Sequence, residues 1–144
     1  MDSQLISSNI FTMNFSKIFS LVLIFFLFQA SFATAQSADS ATVIPAATFE
    51  KMLKKKKNIL LDVRTPEEMT EGHIENAANL DFLDESFPEK IETLNKNKTY
   101  LLYCRSGKRT AKAGAMMKAA GFKNIYMLDG GITSWIEEGK TVEK

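Results

Sequence analysis

The residues best equipped for chemistry stand together in one run, Cys104-Arg105-Ser106-Gly107-Lys108-Arg109-Thr110. A thiol among cations is the setting that makes cysteine nucleophilic, because neighbouring positive charge lowers its pKa from ~8.5 toward ~3.5–7.5. The run follows the short apolar stretch Thr99 to Tyr103 and leads into Ala111, Ala113, Gly114 and Ala115, a pattern that predicts strand, tight loop and close-packed helix. In an open α/β sheet ligands bind beyond the carboxyl ends of the strands. A helix N-terminus there offers unpaired backbone N–H groups and the positive end of its dipole to an anion. Gly107 is expected to let the loop curl so that successive N–H groups converge on the sulfur. Cys104 is therefore the candidate nucleophile, and Arg105, Ser106, Gly107, Lys108, Arg109 and Thr110 are its candidate binding loop.

The elements that must position this loop alternate along the chain. Ile59 to Val63, Thr99 to Tyr103 and Asn124 to Leu128 are nearly continuous apolar runs, as expected of strands covered on both faces of a parallel sheet. Thr42 to Ile44 and Ala77 to Leu80 are weaker strand candidates. Thr65-Pro66-Glu67-Glu68 and Ser86-Phe87-Pro88-Glu89 carry helix-start signals, a hydroxyl cap with Glu three residues on. Pro45 to Leu53, Arg109 to Ala120 and Ile132 to Glu138 complete the helices, with Gly121 and Gly139 as caps after the last two. The alternation implies one α/β domain with crossover helices packed on a central sheet.

Composition narrows the possibilities. There are 18 Lys+Arg against 17 Asp+Glu, so bulk electrostatics points to no nucleic-acid partner. The single cysteine excludes an intramolecular disulfide and a thiolate-based zinc or iron–sulfur site, so no thiolate-held metal is expected. Seven of the eleven Phe lie in the first 35 residues. There Ile18 to Phe28 is apolar but short of the about 20 residues a membrane span needs. Lys17 precedes this stretch and Ala33-Thr34-Ala35 follows it as a cleavage signal, which predicts a signal peptide over 1–35, with Met13 as the better start and Gln36 as the new N-terminus. The expected product is exported, periplasmic or secreted, without a stable span after cleavage; an uncleaved anchor is the alternative. Residues 36–42 read as a flexible lead-in to a domain over 43–144, expected to be monomeric.

Other residues have plainer readings. Asp62 and Arg64, near a strand end, brace each other or the loop, an ion pair being the favoured reading. Glu68 is accounted for by capping with Thr65, His73 by packing or hydrogen bonding, Trp135 by packing, and Lys54 to Lys57 by solvation between a helix end and a strand.

Taken together, the run Cys104 to Thr110 resembles the active-site loop of the rhodanese family of sulfurtransferases. Leu61-Asp62-Val63-Arg64-Thr65-Pro66-Glu67-Glu68 with Gly72-His73-Ile74 resembles the family's first box. Gly121 to Ile125, Leu128-Asp129-Gly130-Gly131-Ile132 and Trp135 resemble its closing segment. The resemblance spans about Val43 to Gly139. It implies a single rhodanese-like domain, with a parallel sheet of about five strands and helices on both faces. It also implies an activity: the Cys104 thiolate takes the outer sulfur of a small anionic donor such as thiosulfate, becomes a persulfide, and yields that sulfur to cyanide or a thiol without a cofactor. A persulfide-carrying or binding module serving a dedicated protein acceptor, with no turnover on free thiosulfate, is the alternative. Related cysteine phosphatases need C-x5-R to ring a phosphate, whereas Arg109 here stands at C-x4-R, a smaller ring suited to one sulfur. Where the family usually has Pro-Gly after Gly-His-Ile, this chain has Glu75-Asn76, which places that turn in question.

Overall fold

The computed structural model describes residues 41–144; the leader, its cleavage signal and most of the 36–42 lead-in lie outside the described residues. The elements in chain order are β1 (Thr42–Ile44), α1 (Ala46–Leu53), β2 (Ile59–Asp62), α2 (Pro66–Glu71), β3 (Ala78–Asn79), α3 (Phe87–Glu92), β4 (Thr99–Tyr103), α4 (Lys108–Ala119), β5 (Asn124–Leu128) and α5 (Gly131–Glu137). The strands form one five-stranded sheet in the order β1-β5-β4-β2-β3, and every pairing is parallel. The central strand β4 lies between β5 and β2, in register Leu101 to Tyr126 and Leu101 to Leu60. β3 shrinks to two residues from the expected Ala77 to Leu80, because its side chains are exposed and offer the edge little to bury.

The continuous apolar runs have the expected cause. Tyr100, Leu101, Leu102 and Tyr103 are fully buried, and successive side chains enter opposite cores. Tyr100 and Leu102 join Leu61, Phe87, Ile91, Ala113 and Met117 under α3 and α4. Leu101 and Tyr103 join Leu60, Phe49, Ile132 and Trp135 under α1 and α5. Each buried Leu contributes roughly 1.5–3 kcal/mol relative to exposure, so β4, anchored on both faces, is the rigid stem of whatever follows Tyr103.

Local signals resolve one by one. Thr65 and Glu68 form a full capping box, each side chain meeting the other's backbone N–H. Gly121 and Gly139 end their helices with paired backbone bonds: Phe122 N–H to Met117 O with Gly121 N–H to Lys118 O, then Lys140 N–H to Trp135 O with Gly139 N–H to Ile136 O. The second expected box does not form. The Ser86 hydroxyl donates to Asp84 Oδ1 at 2.6 Å, so the preceding carboxylate captures it and α3 has no side-chain cap. In the questioned turn, Asn76 takes φ 63° and Ala77 N–H reaches Ile74 O at 3.1 Å. Asn, one of the few residues that tolerate the left-handed region, preserves the turn without glycine.

Candidate active site

Cys104 sits one residue beyond β4, and its side chain closes the core under α4; the residue is 1% exposed. The chain turns at Gly107, φ 94°, which caps α4, so the helix starts at Lys108, one residue before the expected Arg109. Gly107 N–H donates to Cys104 Sγ at 3.1 Å. Burial pushes the thiol up, but the backbone N–H groups of Thr110, Ser106, Gly107 and Arg109 outweigh it and hold the thiol below its ordinary value. The Thr110 hydroxyl, 3.9 Å from the sulfur, donates instead to Gly107 O at 2.8 Å and so pins the curl of the loop.

Two of the loop's three cations are held by a carboxylate, while Arg109 also feels the charge of the Cys104 thiolate. Arg109 donates to Glu68 through both terminal nitrogens, at 2.5 and 2.8 Å, and Arg105 Nε reaches the same carboxylate at 3.1 Å. Among the described residues Lys108 makes no ion pair and stands exposed. Thiolate stabilisation therefore comes chiefly from backbone dipoles. Glu68 does more than cap α2: the two guanidinium groups, Arg109 above all, hold its carboxyl down at about 2 against the cost of burial. Sequence reasoning missed this second role because three cations in one loop were not matched with a counter-ion. The available signal was a carboxylate just beyond β2, the strand beside β4, and thus on the same sheet edge.

The reverse side of the loop is fixed by α5. Ile132 N–H donates to Cys104 O at 2.8 Å and Thr133 N–H to Arg105 O at 3.2 Å. Gly131, at φ 63°, lies against those carbonyls so closely that a Cβ would overlap Cys104 O and Arg105 O. The Gly130-Gly131 pair thus lets one helix N-terminus satisfy the outward carbonyls while the N–H groups face the sulfur.

Asp62 and Arg64 brace each other. Arg64 Nε and Nη2 and its backbone N–H all donate to the Asp62 carboxylate, with Nη2 at 2.6 Å, and Nη2 also donates to Gly72 O at 2.8 Å. Both residues are buried, and the pair ties the end of β2 to the Gly72 turn rather than touching Cys104. His73 makes a reciprocal backbone pair with Glu143 at 2.8 Å and turns its imidazole toward that carboxylate at 3.9 Å, outside the loop. Trp135 is core, donating Nε1–H to Thr141 O at 2.9 Å, and Lys54 to Lys57 are exposed.

What this arrangement can do is hold an anionic sulfur. A concave ring of N–H donors over a buried thiolate stabilises charge at one atom beyond Sγ, the position of a second sulfur.

The profile of the family described as "Rhodanese-like domain" matches residues 45–138. Similar proteins include "Putative sulfurtransferase YtwF" of Bacillus subtilis, 39% identical over 99 residues that make up 69% of this chain and 91% of that one. A tRNA uridine(34) hydroxylase of Enterobacter is 31% identical over 111 residues, 74% of this chain but 32% of that protein, so the chain spans about a third of that relative. Among solved structures, a rhodanese-related protein from Thermoplasma volcanium is similar at TM-score 0.63 and 34% identity, covering 71% of this chain and 97% of that one.

Proposed function

The chain belongs to the rhodanese-like domain family, and from that premise we propose that it is a sulfurtransferase working through a Cys104 persulfide. The observation that carries the reading is the buried thiol under converging N–H groups, which suits an anionic sulfur chain better than any larger group. With thiosulfate, the Cys104 thiolate attacks the outer sulfur. A Cys104 S–S bond forms, the donor's S–S bond breaks, and sulfite leaves with the electron pair. The persulfide then rests with its terminal S⁻ against the loop N–H groups. Attack on that terminal sulfur by cyanide or a thiolate breaks the new S–S bond and restores the Cys104 thiolate. Small donor and acceptor are thus the expected substrates, and the relative from Bacillus subtilis lends support by its description and near full-length match.

The test is the intact mass of the protein before and after thiosulfate. A gain of one sulfur atom, reversed by cyanide, is expected; no adduct with thiosulfate, inorganic polysulfide or a hydropersulfide overturns the reading.

We further propose that the domain works outside the cytoplasm, on the strength of the short apolar stretch Ile18 to Phe28, the preceding Lys17 and the Ala33-Thr34-Ala35 signal. N-terminal sequencing of the mature protein is expected to begin at Gln36; an intact leader on a cytoplasmic product rejects export.

A further inference from the structure

The Glu68 carboxylate faces both arginines of the loop, and this charge arrangement bears on which donors the site accepts. Resting on the sulfurtransferase reading, we propose that Glu68 is a specificity-determining residue that turns Arg105 and Arg109 away from small dianions and biases the site toward hydropersulfide donors, whose reacting group enters uncharged.

The geometry supplies the argument. Arg109 is bound through two nitrogens and Arg105 through Nε, all within 3.1 Å of one carboxylate, which is 17% exposed and further fixed by the Thr65 N–H at 3.3 Å. A bidentate pair holds a guanidinium in one orientation, so Arg109 cannot fork onto a second oxyanion without leaving Glu68. Arg105 is held less firmly, being 60% exposed, with Glu71 at 3.9 Å as a further acidic neighbour. Lys108 and the backbone N–H groups remain to meet an incoming anion.

Donors differ in the charge they bring and the charge they release. Thiosulfate arrives as a dianion and expels sulfite, also a dianion, so an attack by a thiolate concentrates three negative charges in the loop. A hydropersulfide does not. In that exchange Cys104–S⁻ attacks the terminal sulfur of R–S–SH, the Cys104–S bond forms, the donor S–S bond breaks, and R–S⁻ leaves with the electron pair. The proton stays on the transferred sulfur. The total is one negative charge on each side, which a ring of N–H groups and one lysine can accommodate. The two guanidinium groups that Glu68 engages are needed for the first donor and dispensable for the second.

The experiment compares steady-state transfer to cyanide from thiosulfate and from cysteine hydropersulfide, for the protein and its Glu68→Gln variant. Gln keeps the helix cap, since either Glu or Gln closes a capping box. Loss of the carboxylate charge is expected to lower the thiosulfate KM about fivefold with kcat held within about twofold, and to leave the hydropersulfide KM within about twofold. The freed cations are also expected to make the thiosulfate KM of the variant rise more steeply with salt. A merely structural role would shift both donors together. A thiosulfate KM that is unchanged or raised, or parallel changes for the two donors, overturns the proposal. A measurement on the unaltered protein stands apart from folding of the variant: kcat/KM for the hydropersulfide is expected to exceed that for thiosulfate by about tenfold, and the reverse order overturns the proposal. If the unaltered protein gains no sulfur from either donor, the sulfurtransferase reading itself falls and takes this proposal with it; loading from both with no Glu68 effect overturns the specificity role alone.

Discussion

Replacing Cys104 with Ser is expected to abolish sulfur loading and to lower turnover by at least about a thousandfold, because no other residue supplies a thiolate and a serine hydroxyl at neutral pH is a far weaker nucleophile. The fold has little reason to fail, since the exchange removes only a polarisable atom from a site already lined with N–H donors. A thermal midpoint within a few degrees of the original, with loading gone, separates chemistry from stability. The pH profile adds a sign. A thiol held below its ordinary value is ionised at lower pH than a free one, so loading rises with pH with its midpoint below that of a free thiol. Retained turnover in Cys104→Ser, or a loading midpoint above that of free cysteine, refutes the assignment.

The second large effect belongs to Asp62. Its carboxylate receives three groups of one buried arginine, and Asp62→Ala leaves the Arg64 guanidinium buried with neutral partners, Gly72 O and the Tyr103 side chain. Breaking a buried pair from one side costs about 3–5 kcal/mol, on account of the uncompensated charge. In a domain of this size that is a fall in thermal midpoint on the order of 15 °C. Removing both partners together, as in Asp62→Ala with Arg64→Met, is expected to recover much of the loss, since no charge is then stranded. Chemical or thermal unfolding of the two variants checks this, and a single variant as stable as the original protein contradicts it.

The parts of the fold that were legible in sequence are those set by local pattern. The runs around Leu60, Leu101 and Tyr126 are apolar on successive residues, and that pattern requires cover on both faces, which in turn requires parallel strands and crossover helices. Gly121 and Gly139 marked helix ends for an equally local reason, the left-handed φ of a terminal turn. Ser86 misled because a cap needs an extended residue whose hydroxyl oxygen accepts from a first-turn N–H, whereas Ser86 stands at φ −83°, ψ 2° with its hydroxyl turned to donate to Asp84 Oδ1. Glu68 misled in the other direction: its bond to Thr65 is local and visible, whereas its bonds to Arg105 and Arg109 cross 37 and 41 residues.

The sequence by itself determined that one cysteine closes a strand, that a glycine follows it three residues later, and that a helix begins there. Those features are covalent spacing and backbone preference, so they hold whatever the rest of the chain does. Only the tertiary structure decided where the charges go. Cations beside a thiol in sequence need not face it in space, because a carboxylate on the neighbouring crossover is close enough to take two of them, while backbone N–H groups, unable to turn away, remain on the sulfur. Electrostatic energy follows distance through space rather than along the chain, and here it divides the loop into backbone that meets the sulfur and arginines that meet Glu68.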